Sequence, residues 1–277
     1  MRARLAARLL LASGLASLAA GAAEQESNPR TDYTAYTRPA GRTALGPFKL
    51  ELGLIDEVTI GTYVPPWFAY PALGVVIPNG YVKIGSSRRN RFTLAGRAGY
   101  TFIDGKGIAE LANKQASASA AAFASEVDAS LRVTPALFLS LGVDYSHIHA
   151  IGSADQLASS IEGASTADTW STRLLTEWHL TRSFALSLLL RYLIYQSPLN
   201  ADVDADSGVL TVQGDLSGEG TRRRRVSVVP GVAFEGQNWE LQAGIGYGVA
   251  YVPIIGMPTA NAWPIVDLGF AFRFDLY

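Results

Sequence analysis

Charged residues recur at every second position along much of the chain, and this spacing determines which chemistry they could perform. In a β-strand alternate side chains point to opposite faces, so Lys49 and Glu51 share one face while Leu50 and Leu52 share the other. A face that carries both signs of charge could line a water-filled passage and set its selectivity. It could also form a hydrated network of salt bridges, and the two interpretations are compatible.

Applied along the whole chain, this parity predicts a set of charged residues that line the interior of the fold. The predicted lining residues are Lys49, Glu51, Lys83, Arg97, Asp144, Arg173, Glu177, Arg191, Arg225, Glu240, Asp267 and Arg273, with Glu126 and Asp128 on the same faces. We expect Arg97, Arg173 and Arg191 to influence ion selectivity. The same expectation holds for Asp144.

Residue types that could catalyse a reaction do not converge. A nucleophilic hydrolase needs Ser and His on one face, with a third group that orients the His. His147 falls on the face opposite Asp144 and Ser146, whereas His179 shares a face with Glu177 but lies beside a short turn. We therefore expect no catalytic residues, no cofactor and no enzymatic activity.

One acidic stretch has the spacing of a calcium-binding loop. Asp202, Asp204 and Asp206 alternate, but Ser207 stands where such a loop needs glycine, and Gln213 where it needs a bidentate glutamate. The chain contains no cysteine, which excludes disulfides and thiolate metal sites. The sequence therefore predicts an acidic loop and no metal.

The elements that carry these residues are predicted from the same alternation. It indicates about eleven strands from Phe48 to the C-terminus, with short turns and long loops in regular succession. The long loops are predicted at 105–122, between Ser146 and Asp168, at 196–220 and at 253–263. Pro230 interrupts one strand and predicts a bulge, because proline cannot donate to a ladder.

The clearest alternation occupies residues 266–277. The apolar face consists of Val266, Leu268, Phe270, Phe272, Phe274 and Leu276, and the sequence ends on Tyr277. This stretch resembles the terminal strand of bacterial outer-membrane β-barrels, which ends in Phe or Tyr. The resemblance implies an assembly signal, read by the barrel assembly machinery, that comprises Phe270, Phe272, Phe274 and Tyr277.

The resemblance implies an all-β fold, a single antiparallel up-and-down transmembrane β-barrel with short periplasmic turns and long extracellular loops. Such barrels close on an even number of strands, so we predict a further strand within residues 33–38. The expected total is about twelve strands, with ten as the alternative. Trp170 and Trp178 lie on one predicted strand, and eight steps of ~3.3 Å give about 26 Å, near the ~25 Å apolar band of such barrels.

The remaining composition is typical of an exported protein. Residues 1–22 contain Arg2, Arg4 and Arg8 before a run of Leu and Ala, as in a secretory signal peptide. Residues 23–32 are predicted to form a short periplasmic segment and residues 33–277 the barrel. No apolar run is long enough for a membrane-spanning helix, and a formal net charge of −1 gives no reason to expect nucleic-acid binding.

We expect the protein in the outer membrane of a Gram-negative cell, as a narrow pore for passive passage of small solutes. The alternative is a closed structural or adhesive barrel that acts through its extracellular loops. A lipid-modifying enzyme is the third, least favoured interpretation. Arginine binds phosphate bidentately, so outer-membrane lipid and lipopolysaccharide are expected partners of Arg222, Arg223, Arg224 and Arg225.

Overall fold

Antiparallel β-strands make up most of the described part of the computed structural model, which comprises residues 30–64, 77–86, 90–104, 116–156, 159–197, 199–206, 211–218, 226–252 and 257–276. The strands are β1 (Arg42–Leu45), β2 (Lys49–Ile55), β3 (Val58–Tyr63), β4 (Asn79–Gly85), β5 (Phe92–Asp104), β6 (Ala116–Thr134), β7 (Leu137–Gln156), β8 (Ser159–His179), β9 (Phe184–Gln196), β10 (Leu199–Asp206), β11 (Thr211–Gly218), β12 (Val226–Glu235), β13 (Trp239–Val252) and β14 (Met257–Asp275). None of these ranges contains a helix that is long and apolar enough to cross a membrane.

Twelve of these strands close into a barrel, which confirms the predicted fold class and strand number. β1 pairs with β14, and β9 links β8 to β12, so the ring of strands has no free edge. β10 and β11 form a hairpin outside the ring: residues 160–166 of β8 pair with β10, whereas residues 169–179 pair with β9. Closure pairs every strand of the ring on both sides, as a membrane barrel requires.

The outward face of the barrel is apolar and the inward face is polar. Ile245, Val127 and Val266 are 73%, 63% and 63% exposed, whereas Arg173 and Glu177 are buried inside. Rings also cluster at both ends of the strands, where Tyr145 contacts Trp170 at one end and Phe184 contacts Phe234 at the other. Since a soluble barrel has the opposite polarity, this surface is suited to lipid.

The predicted strand within residues 33–38 is wrong. That stretch turns inside the barrel, and the twelfth strand is β1, which has only four residues. The backbone of residues 33–38 forms hydrogen bonds with side chains of the barrel wall and not with a neighbouring strand. Ala35 N, for example, donates to Ser130 Oγ. Pro39, which lacks an N–H, and Gly41, whose φ is 71°, then turn the chain into β1.

Several predicted loops are strands over part of their length. Described residues of each predicted loop belong to β6, β7 and β8, the β10–β11 hairpin and β14. These extensions reach beyond the apolar band, where both faces of a strand meet water, so their sequences lack the apolar alternation that marks the membrane part. The acidic stretch from Asp202 to Asp206, which was predicted to be a loop, therefore lies on strand β10.

The bulge predicted at Pro230 is also wrong. β12 keeps one register with β9 through the pair Pro230 and Leu188. It also keeps one register with β13, from Val228 opposite Tyr247 to Glu235 opposite Glu240. The missing proline donor is therefore accommodated without an extra residue in the strand.

Candidate functional site

The lumen of the barrel is filled at its short-turn end by residues 30–41, which we name the inner segment. The side chains of Ala35, Tyr36 and Thr37 are fully buried there. The Tyr36 ring meets the Phe138 ring edge to face, with 6.0 Å between the ring centroids. The inner segment thus occupies the interior that a water-filled passage would need.

Hydrogen bonds from the wall hold the backbone of the inner segment. The Lys83 ammonium donates to the carbonyls of Thr31, at 2.8 Å, and Thr34. Ala35 N donates to Ser130 Oγ at 2.7 Å. These side chains come from β4 and β6, so residues from distant positions in the sequence converge on one short stretch.

Arg38 is the main electrostatic attachment of the inner segment. Its Nε lies 2.5 Å from Glu51 Oε2 on β2, and its Nη2 lies 2.6 Å from Glu240 Oε1 on β13. The backbone N of Arg38 also donates to Thr59 Oγ1 at 2.7 Å. Charge-assisted hydrogen bonds of this kind are about twice as strong as neutral ones, and Arg38 is buried among them.

Two further ion pairs attach the start of the inner segment. The Lys49 ammonium lies 2.6 Å from Asp32 Oδ2 and 3.2 Å from Glu51 Oε2. Arg30 Nε lies 3.2 Å from Glu177 Oε2, and Glu177 also contacts His179. The inner segment therefore presents charges of both signs to complementary charges on the wall.

A buried cluster of opposite charges lies on the inward face of β5 to β8, next to the inner segment. Arg173 on β8 donates to Glu126 at 3.0 Å and to Asp128 at 2.7 Å, and it also contacts Asp144. Arg97 Nε lies 2.9 Å from the other Glu126 oxygen. Because these partners lie on neighbouring strands, the cluster ties four strands, β5 to β8, together across the lumen face.

Tyr33 lies where the charged cluster meets an apolar patch inside the lumen. Its ring centroid is 5.5 Å from the guanidinium carbons of both Arg173 and Arg191. Tyr33 also packs against a buried apolar cluster of the wall that consists of Leu175, Leu189 and Val229. Contacts between a cation and a ring face are favourable, so Tyr33 joins the two environments.

A cavity of about 470 Å³ remains beside the inner segment. Its lining includes Lys49, Arg97, Asp144, Glu177, Arg191, Glu240, Asp267 and Arg273 from the predicted set, together with Arg30, Asp32, Tyr33 and Arg38 from the inner segment. The inner segment therefore narrows the interior of the barrel and leaves a space, lined by both charged and apolar side chains, next to the Arg38 contacts.

One polar group of residues lies on the outer surface instead, beyond Trp170 and outside the membrane-spanning part of β8. The Tyr145 hydroxyl donates to Asp168 Oδ1 at 2.8 Å, and His147 Nδ1 lies 2.9 Å from the same oxygen. These hydrogen bonds, chiefly that of His147, hold the pKa of the Asp168 carboxyl below its usual range. No group of three metal-ligating side chains occurs among the described residues.

The structure places most of the predicted lining residues inside the barrel. Lys49, Glu51, Lys83, Arg97, Arg173, Glu177, Arg191 and Arg273 are wholly or largely buried, and Asp144, Glu240 and Asp267 face the cavity. Their role in a pore stays a prediction. Arg222 to Arg225, Tyr277 and the predicted signal peptide, residues 1–22, lie outside the described residues, as do residues 23–29 of the predicted periplasmic segment.

Sequence reasoning missed the residues of the inner segment that hold it in the lumen. The sequence pattern places Arg30 in a periplasmic segment and Tyr33 and Arg38 in a strand, whereas Arg30 and Arg38 each meet a carboxylate of the wall in the structure. Pro39 and Gly41 indicate a turn after residue 38, but that signal fits a strand that ends there as well as it fits the inner segment. The remaining residues of the assembly signal, Phe270, Phe272 and Phe274, lie on the outward face of β14.

Comparison with known proteins identifies the fold. No protein-family model and no curated protein sequence matches the chain. The barrel is similar to the toluene transporter TodX of P. putida, with a TM-score of 0.50 and 11% identity over 87% of this chain and 72% of that chain. It also matches the translocator domain of the autotransporter NalP from Neisseria meningitidis, with a TM-score of 0.47 and 12% identity over 83% of this chain and 72% of that chain. The protein therefore has the fold of a bacterial outer-membrane β-barrel.

Proposed function

We propose that the protein is an outer-membrane channel for small hydrophilic solutes, and that the inner segment holds it closed. The proposal rests on the polar contacts that attach the inner segment to the barrel wall. Its principal contacts are hydrogen bonds and ion pairs, such as those of Arg38 with Glu51 and Glu240. Water can replace such contacts when the segment moves, and a hydrogen bond to a charged group contributes about 1.5–3 kcal/mol net.

The topology also favours a movable segment. Residues 30–41 belong to no strand, so their displacement breaks no strand pair of the wall. Backbone hydrogen bonds join the last of them, Gly41, to Gly53 O at 2.8 Å and to Leu276 N at 3.0 Å, where the segment continues into β1. The short-turn end, where the inner segment lies, corresponds to the periplasmic end in barrels of this kind. The cavity of about 470 Å³ beside the inner segment gives it room to shift.

The proposal includes no catalytic step and no cofactor. Outer-membrane lipid, lipopolysaccharide and the assembly machinery are proposed as partners on the basis of the lipid-suited outer face and the terminal strand. Contact of lipopolysaccharide with Arg222 to Arg225 remains a prediction, since these residues lie outside the described ranges.

Planar-bilayer recording of the refolded full chain tests the channel. We expect low, infrequent conductance from the native protein and frequent, larger steps from Arg38→Ala, because this change removes the contacts with Glu51 and Glu240. Arg42→Ala is the matched control: it removes an exposed ion pair with Asp275 at the rim and should conduct like the native chain. A folded, inserted Arg38→Ala protein that remains silent would overturn the proposal.

A closed adhesive barrel is the second candidate, and one observation favours it. β6, β7 and β8 have 19, 20 and 21 residues, and the β10–β11 hairpin adds to β8 beyond the ring of twelve. Together they build a sheet that projects from the long-loop end. If deleting this hairpin abolished attachment of cells to a surface while Arg38→Ala remained silent, adhesion would replace transport as the function.

A further inference from the structure

We propose that Glu51 and Glu240 form a binding site for solutes that carry a guanidinium group, and that Arg38 occupies this site in the closed state. The inference rests on the proposed channel for its biological meaning, because only an opened lumen would present the site to a solute. The argument itself depends on the geometry around Arg38 and on the charges left behind when Arg38 departs.

The two carboxylates engage all three nitrogens of the guanidinium. Glu240 takes it in a fork, with Oε1 2.6 Å from Nη2 and Oε2 3.3 Å from Nη1. Glu51 Oε2 accepts from Nε at 2.5 Å. A planar cation with fixed donor directions fits this arrangement, whereas a compact ammonium would satisfy fewer of the oxygens at once.

The site belongs to the wall and is held in shape by the wall. Glu51 lies on β2 and Glu240 on β13, and both strands are part of the closed ring. The Tyr81 hydroxyl of β4 donates to the other Glu51 oxygen at 2.6 Å, which fixes the orientation of that buried carboxylate. The carboxylates of Glu51 and Glu240 therefore stay in place when the inner segment leaves the lumen.

Charge favours a monovalent cation in the vacated site. Arg38 and Asp32 leave with the inner segment, and of their ion pairs among the described residues Glu51 and Glu240 then keep that of Glu51 with Lys49, two negative charges against one positive. One guanidinium restores neutrality. A sodium ion would balance the charge as well, but it has no directional donors for three separate oxygens.

The site can be reached from the interior. Glu240 is 30% exposed, and it lines the cavity of about 470 Å³ together with Lys49. A small solute in this cavity would meet the fork of Glu240 first and the buried Glu51 behind it. The expected ligands are small guanidinium or amidinium compounds.

Chemical rescue of Arg38→Ala tests the site with methylguanidinium as the probe. We expect calorimetric binding of methylguanidinium to the detergent-refolded variant, and voltage-dependent block of its currents. Neither should occur in the native protein, whose site Arg38 fills. Arg38→Ala/Glu240→Gln should bind at least tenfold more weakly, as expected when a charged hydrogen-bond acceptor is lost. Urea matches the planar shape without the charge, and methylammonium matches the charge without the shape, so neither should substitute.

The outcomes separate the two proposals. Arg38→Ala that conducts but neither binds methylguanidinium nor is blocked by it overturns the binding site and leaves the channel intact. Arg38→Ala that binds the probe but never conducts overturns the channel and leaves the site intact. If the variant folds poorly, its refolding yield with and without methylguanidinium and the milder Arg38→Gln variant provide the same comparison. Equal responses to methylguanidinium and methylammonium also refute the guanidinium site.

Discussion

Replacing Arg173 with methionine should be the most destabilising single change of charge in the barrel. The Arg173 side chain is fully buried and meets Glu126, Asp128 and Asp144. Methionine keeps similar length and apolar bulk but leaves these carboxylates without their shared cation. Removing one partner of a buried pair costs about 3–5 kcal/mol, mainly because a buried charge is left uncompensated.

The local geometry sets where in this range the loss should fall. Glu126 retains Arg97 at 2.9 Å, and Arg191 Nε lies 3.9 Å from Asp144, so two of the carboxylates keep a cation nearby. Asp128 is fully buried, and Arg173 is its ion-pair partner. Adding Asp128→Asn to Arg173→Met should therefore recover part of the loss, since an amide is less costly to bury than a carboxylate.

Equilibrium unfolding by urea in lipid vesicles, followed by tryptophan fluorescence, measures this difference. The control is Arg42→Met, which breaks an ion pair whose side chains are 35% and 65% exposed and should cost about 0–1 kcal/mol. If Arg173→Met and Arg42→Met lowered the free energy of unfolding equally, burial would not determine the strength of these pairs, and the reasoning would be refuted.

Three further changes test the inner segment, the wall and the lipid face. Tyr36→Ala removes a fully buried ring, so amide exchange within residues 31–38 should accelerate while β5 to β9 stay protected; uniform acceleration would contradict a separable segment. Gly46→Ala would place a Cβ 1.8 Å from the Phe270 carbonyl oxygen and should cost about 1–3 kcal/mol, against no more than about 0.5 kcal/mol for Gly96→Ala, where the nearest atom is 3.9 Å away. Ile245→Arg, at a 73% exposed position, should cost about 2–4 kcal/mol in vesicles if it faces the bilayer midplane; a neutral effect on urea unfolding would place that face in water.

The alternation of residues determined the class of fold and the two faces of its wall. Val266, Leu268 and Phe272 on one parity, with Asp267 and Arg273 on the other, require a strand with an apolar and a charged side. This period is local, so it can be interpreted without knowing any long-range contact. For the same reason the sequence predicted that Arg97, Arg173 and Glu240 lie inside, where the structure places them.

Only the tertiary structure decided which charges meet and what fills the lumen. Arg173 and Glu126 are 47 positions apart, and their contact depends on the strand order and register of β6, β7 and β8. Residues 33–38 could not be distinguished from a strand locally, because their backbone partners include Ser130, 95 positions from Ala35. The alternation of neighbouring residues shows which face of a strand a side chain occupies. It does not show which distant residue that side chain, or the backbone, will bond to. Closure of the barrel brings these distant residues together around the lumen, where they hold the inner segment.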